Sequence, residues 1–290
     1  MKEREIMHAD IAIIGGSGVY DTTMLDNIKE VEMDTPFGKP SDAITIGSFG
    51  DTNVAFLPRH GKGHRISPGK LNSRANILAL KKLGVTRIIS ASAVGSLKLQ
   101  LKPLDIVVPD QIFDRTRIRD STFFEDGIVV HTGFADPFCP EMSSMLADIT
   151  EELGYSVHRN GIYVCMEGPQ FSTRAESRVY QTLGFDIIGM TALPEAKLAR
   201  EAEICYSMLA TVTDYDVWHE EDVTIETVIA NAMKNEEAVR NIIRESIPRI
   251  SPVRNCVCAN AMNGAILTAP DKIPIETKRK LDDLIGKYLQ

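Results

Sequence analysis

Short apolar runs and amphipathic stretches alternate along the chain, and their order is the first guide to the fold. Residues 10–14 and 53–58 form brief, almost continuous apolar runs of strand length. Across 73–84 the residues Ala75, Leu78, Ala79 and Leu83 recur at helical spacing, with Gly84 as a stop. A short buried strand over 86–93 follows at once. Further runs predict strands over 105–109, 161–164, 186–189 and 206–213, and helices over 141–153, 174–183, 195–202, 224–245 and 276–289. Such alternation implies an α/β fold, a mixed and mostly parallel sheet flanked by helices on both faces. No linker, repeat or low-complexity tract interrupts it, so residues 1–290 read as a single domain. The stretch 251–271, with Pro252, Gly264 and Pro270, is the least regular.

Composition narrows the class of function. With 43% hydrophobic residues, the 290-residue chain can bury a sizeable core. Its net charge of -8 argues against nucleic acid or an anionic membrane as the main partner. The charged residues 1–10 run straight into the first apolar segment without a signal-peptide pattern, and no apolar run reaches bilayer length. We therefore expect a cytoplasmic protein with no membrane partner. Of the five cysteines, Cys256 and Cys258 could supply two zinc ligands. No CxxC pair or histidine cluster accompanies them, so no metal site is expected and buried free thiols are the plain reading.

Candidate chemistry gathers at the strand ends. Asp214 and Asp216 leave the strand 206–213 together, where open α/β sheets place their ligands. Paired carboxylates can accept from an exocyclic amine and hold a proton for an adjacent ring nitrogen, the pattern adenine presents. They could equally cap the next helix. Gly15-Gly16-Ser17-Gly18 follows the first strand and offers backbone amides and the Ser17 hydroxyl to an anion. Asp21 stands where a dinucleotide fingerprint would need its third glycine. Arg59 supplies a forked cationic donor set and His60 a ring donor, with glycines at 61 and 63. His60 and His64 are four apart, but those glycines argue against a helical metal pair. Ser92 ends a third strand among small residues. Phe171 could stack on a base, and Met190 beside Thr191 could line a sugar. Each segment alone also fits a turn, a surface loop or plain core.

Together the segments resemble the 5′-methylthioadenosine phosphorylases, a branch of the trimeric purine nucleoside phosphorylases. The matching motifs are Ile-Ile-Gly-Gly-Ser-Gly at 13–18, Asp-Thr-Pro-Phe-Gly-Lys-Pro-Ser-Asp-Ala at 34–43, Arg59-His60-Gly61 and Glu167-Gly168-Pro169. They continue with Ser-Thr-Arg-Ala-Glu-Ser at 172–177, Met190-Thr191 and Thr213-Asp214-Tyr215-Asp216, and the match loosens after about Ile225. The resemblance implies a single-domain phosphorylase fold. It also implies a phosphate site of Ser17, Arg59, His60, Ser92, the Ala93 amide and Thr191. Family members often carry threonine where Ser17 and Ser92 stand, so a hydroxyl is kept, whereas Ala91 has lost one. Met190 corresponds to the ribose contact, Phe171 and Ser172 to the base contacts, and Ile225 and Val228 to the wall around the 5′-thiomethyl group. Asp214 and Asp216 correspond to the purine-reading carboxylates and are the catalytic candidates.

The implied reaction is phosphorolysis of 5′-methylthioadenosine to adenine and 5-methylthioribose 1-phosphate in methionine and purine salvage, with adenosine as a further substrate. Inorganic phosphate is the co-substrate, and no cofactor or metal is implied. The implied assembly is a homotrimer or a dimer of trimers, with His131 as a candidate donor to a neighbouring subunit's site. A source living at high temperature would allow disulfides pairing Cys256 with Cys258 and Cys139 with Cys205. The alternatives are a 6-oxopurine nucleoside phosphorylase, disfavoured by a carboxylate at Asp214 facing the 6-oxo group, and a non-catalytic nucleotide-binding module.

Overall fold

The computed structural model describes residues 8–19, 22–219 and 224–289, the side chains of Ser17 and Thr22 excepted. In chain order the strands are β1 (Ile11–Gly15), β2 (Asp26–Val31), β3 (Ile44–Phe49), β4 (Thr52–Pro58), β5 (Arg87–Ser96), β6 (Ile106–Val108), β7 (Gln111–Arg115), β8 (Val157–Arg159), β9 (Ile162–Met166), β10 (Ile187–Gly189) and β11 (Cys205–Asp214). The helices are α1 (Ser73–Lys82), α2 (Pro140–Glu152), α3 (Arg174–Thr182), α4 (Ala192–Glu201), α5 (Ile225–Ser246), α6 (Ile275–Lys280) and α7 (Asp282–Ile285).

The expected mixed sheet is present. Its path runs β2-β3-β4-β1-β5-β10-β9-β7, and β11, β6 and β8 branch from β5. β1 pairs in parallel with β4 and β5, and β11 lies parallel to β5 from Cys205↔Arg87 to Asp214↔Gly95. β2–β3, β3–β4, β5–β10 and β6–β11 are antiparallel. One apolar layer, containing Ile77, Leu80, Ala196 and Ala199, covers one face; a second, containing Leu146, Ile149, Ile242 and Ile243, covers the other. The periodic helices thus sandwich the sheet, as their apolar stripes require.

Strands β2, β3, β7 and β8 have no counterpart among the expected elements. β2 is a polar edge whose first five residues are exposed, so it shows no apolar run. The single helix expected over 276–289 is divided. Leu281, at φ -107 and ψ 11, leaves helical geometry between α6 and α7, and a 3₁₀ turn Gly286–Tyr288 follows. Burial of Leu281, Leu284 and Ile285 sets that path; tertiary packing overrides the local periodicity.

Candidate active site

The carboxyl ends of β1, β4, β5 and β11 open into one cavity of about 690 Å³, roofed by α5. Volumes of this order suit a nucleoside-sized ligand. Arg59, His60, Ser92, Ala93, Thr191, Met190, Phe171, Asp214, Asp216, Ile225 and Val228 all line it. The Ser17 side chain lies outside the described residues, although its backbone opens the 3₁₀ turn Ser17–Val19 beside the cavity. Ser172 is off the wall, its Oγ turned to Met166 Sδ at 3.5 Å as the chain enters α3. His131 lies on the surface, its N–H bonded to Ala265 O at 2.9 Å, away from its own chain's cavity.

The basic corner is less positive than its residues suggest. Arg59 is 1% exposed and forms a forked ion pair with Glu195, Nε to Oε1 at 2.5 Å and Nη2 to Oε2 at 3.1 Å. Nη2 also donates to Ser90 Oγ at 2.6 Å, and Nη1 to Ala91 O at 2.8 Å. Burial alone would lower the Arg59 pKa, but the charge and hydrogen bonds of Glu195 outweigh it and hold the guanidinium above its ordinary value. One Nη1 proton remains for a ligand. His60 differs from expectation as well. Its Nδ1 lies 2.8 Å from Ile66 O, which can only accept, so that proton is committed. Burial, then the Arg59 charge, pushes the imidazole down to about 4. At neutral pH the ring is uncharged and Nε2 is a hydrogen-bond acceptor, suited to a protonated phosphate oxygen. Thr191 precedes α4, whose first turn is broken at Leu193 (φ -114, ψ 142), and its Oγ1 makes no cap but meets Ser92 Oγ at 2.7 Å. The two hydroxyls converge on the cavity wall beside Ala93.

At the other end, β11 delivers the two carboxylates. Asp214 Oδ1 accepts from Asp216 N at 2.8 Å, and Oδ2 lies 2.7 Å from Thr213 Oγ1. Thr213 Oγ1 is also 3.2 Å from Val94 O. Its one proton can therefore go to the carboxylate, or to Val94 O while a protonated Asp214 donates to Thr213. Asp214 thus has a place to keep a proton, and burial raises its pKa. Asp216 is buried in a left-handed conformation, φ 48, and its Oδ2 has no hydrogen-bond partner among the described residues. Burial, followed in the same direction by the Asp214 charge, raises its pKa too. Gly95 makes room for both: a Cβ there would lie 3.0 Å from Asp214 Oδ1 and 3.3 Å from Asp216 Cβ. Asn231 and Asn235 of α5 donate to Thr213 O and Val212 O at 2.7 and 3.1 Å, fixing the strand end.

Two supporting residues escape a motif search. Glu195 could have been found, because it sits on the apolar face of α4 with Ala199 and Ala202, where an unpaired carboxylate would be costly. Arg119 gives no local signal. It donates to Met190 O and Leu193 O, each at 2.6 Å, to Met166 O at 3.1 Å and to Glu167 O at 2.6 Å. It therefore locks the backbone that carries Met190 and Thr191.

Residues 10–248 match the family model described as the phosphorylase superfamily. The S-methyl-5′-thioadenosine phosphorylase of Koribacter versatilis is 52% identical over 284 residues, spanning 97% of each chain. That of Geobacter sulfurreducens is 51% identical over 98% of this chain and all of its own. Among solved structures, a methylthioadenosine phosphorylase from an Antarctic soil metagenomic library superposes with a TM-score of 0.92, at 48% identity over 96% of this chain and 99% of the other. The Schistosoma mansoni methylthioadenosine phosphorylase in complex with adenine gives 0.81, at 38% identity over 85% and 93%.

Proposed function

The chain belongs to the phosphorylase superfamily, and on that premise we propose that it cleaves 5′-methylthioadenosine with inorganic phosphate, adenosine being a further substrate. One observation carries the reading: an anion cradle and two carboxylates of raised pKa face each other across a single nucleoside-sized cavity. Phosphate sits against Arg59 Nη1, the Ser92 and Thr191 hydroxyls and the Ala93 amide, with Ser17 closing the glycine turn. Its hydroxyl donates to His60 Nε2. A phosphate oxygen attacks the anomeric carbon as the bond to the purine nitrogen breaks, and the nearby anion offsets the positive charge on the ribosyl group. Asp214 passes its proton to the departing adenine, while Asp216 reads the 6-amino side. The products are adenine and 5-methylthioribose 1-phosphate. Phosphate is the nucleophile, so the chemistry requires no metal or organic cofactor.

Phe171 stacks on the base, Ser172 steadies its neighbourhood, Met190 lies under the ribose, and Ile225 and Val228 enclose the methylthio group. Ile225, Ile229 and Met233 leave an exposed apolar edge on α5 at the cavity mouth. That edge supports a homotrimer or dimer of trimers in which a neighbour covers the 5′ side, with His131 as a candidate donor. Among the described residues no helix is long and apolar enough to cross a membrane. Base release from 5′-methylthioadenosine, followed with and without phosphate, tests the activity. Release that proceeds equally without phosphate defeats it.

A further inference from the structure

Four thiols from three separate segments of the chain meet on one side of the sheet. Cys139 precedes α2, Cys205 opens β11, and Cys256 and Cys258 lie on the irregular segment after α5. Their sulfurs all lie within 4.8 Å of one another, and Cys205 Sγ is 3.3 Å from Cys256 Sγ. Three of the four residues are buried and Cys256 is half-buried. All are free thiols, so the disulfides conceivable from sequence are not formed here. The expectation of no metal site assumed that Cys256 and Cys258 had no further ligands, whereas the fold brings two.

We propose that Cys139, Cys205, Cys256 and Cys258 form a tetrathiolate site for zinc or a divalent cation of similar softness. A zinc–sulfur bond of about 2.3 Å sets tetrahedral sulfurs about 3.8 Å apart, inside the range these thiols span. The backbone that carries them is already pinned. Cys139 N donates to Tyr206 O at 2.8 Å, Cys205 N to Thr86 O at 3.0 Å, and Arg87 Nη2 to Val253 O at 3.0 Å. Loading replaces four thiol protons with one dication and changes no oxidation state. The site then carries two negative charges. Arg87, the register partner of Cys205, and Arg254, beside the ligand pair, are the cations on the adjoining segments. The metal staples the segment 251–260 to the first residue of β11. It lies at the end of that strand opposite Asp214, so its role is structural and separate from the reaction.

The test uses the full-length protein expressed with zinc supplied. Elemental analysis is expected to find about one zinc per chain. In denaturant with a chelator and without reductant, all five thiols should titrate. A Cys205→Ser/Cys258→Ser variant should lose the metal, and Cys165→Ser should keep it. Cobalt added to metal-free, reduced wild type should give the thiolate-to-metal charge-transfer band and intense visible bands of a tetrahedral site, a readout that survives if the double variant fails to fold. Fewer than five titrating thiols would assign disulfides and overturn the proposal. So would protein without metal that gives no cobalt spectrum, or zinc retained by the double variant.

Discussion

Glu195→Gln is the substitution that most directly probes the electrostatics of the cradle. It keeps the shape of the side chain but removes the counter-charge of Arg59, with which Glu195 pairs at 2.5 and 3.1 Å while 1% exposed. The amide still accepts at one atom, yet its NH₂ now faces guanidinium protons or Tyr206 OH, which sits 3.0 Å from Glu195 Oε2. Breaking one side of a buried pair costs about 3–5 kcal/mol. At about 2.1 cal/mol/K per residue, 290 residues give an unfolding entropy near 0.6 kcal/mol/K, so Tm should fall by about 5–8 °C. Phosphate then becomes the missing counter-ion. It should recover more of the melting temperature in the variant than in wild type, and its KM should fall. Thermal melts across a phosphate series, with initial rates at saturating nucleoside, read both effects. The Arg59→Met/Glu195→Met double variant should regain most of the stability but lose the phosphate response. A Glu195→Gln variant whose Tm moves by less than about 1 °C would refute the claim that Arg59 is neutralised by a desolvated partner.

Asp214→Asn should lower turnover on 5′-methylthioadenosine by about 10²–10⁴ fold and raise relative activity on 6-oxopurine nucleosides, because an amide can donate to the 6-oxo group; wild-type rate and preference in steady-state assays would dismiss Asp214 as the acid. Glu236 packs against the glycine turn, where a Cβ on Gly18 would fall 1.5 Å from Oε1, so Glu236→Gln should lower the phosphate KM by about 3–10 fold through loss of a like charge; an unchanged KM would place that carboxylate outside the anion's field. His60, at about 4 in the fold against an ordinary 6.5, binds fewer protons than the unfolded chain, so its contribution is lost as pH falls through that window. Glu201, raised by burial to about 7, has the opposite sign and stabilises most at low pH; urea melts at pH 7 and 5 should therefore show Glu201→Gln losing more stability on acidification than wild type.

The parts of the fold that follow one residue's spacing were legible, and the parts that depend on a distant partner were not. The apolar runs of β1, β5 and β11 marked strands buried on both faces, except at the ends of β5 and β11 that line the cavity, where Ala93 is exposed. β2 and β8 are short polar strands that exist only because a neighbour offers its edge. The site divides in the same way. Asp214, Asp216, Arg59 and Thr191 sit at strand ends, so the alternation of elements already brings them together. Arg119 reaches five acceptors across loops, and no periodicity reports such a path. The cysteines show the same limit: 139, 205, 256 and 258 become one cluster only after β11 and the segment that follows α5 are side by side.

The protonation states of the pocket explain why so basic a motif need not trap the anion it is proposed to use. Arg59 is offset by Glu195 within the fold, and His60 is neutral at physiological pH because burial and the neighbouring guanidinium disfavour a second cation. The cradle therefore offers directed protons and one acceptor, with little net positive charge. A phosphate held that way keeps most of its own negative charge, which can face the ribosyl cation as it forms. A fully cationic cradle would bind the ground state more tightly and blunt that attraction. At the far wall the same desolvation works on a carboxyl group and raises the pKa of Asp214, which favours the protonated form that the proposed transfer to the purine requires. Burial thus acts on both halves of the site, removing a charge from His60 and shifting Asp214 toward its protonated form.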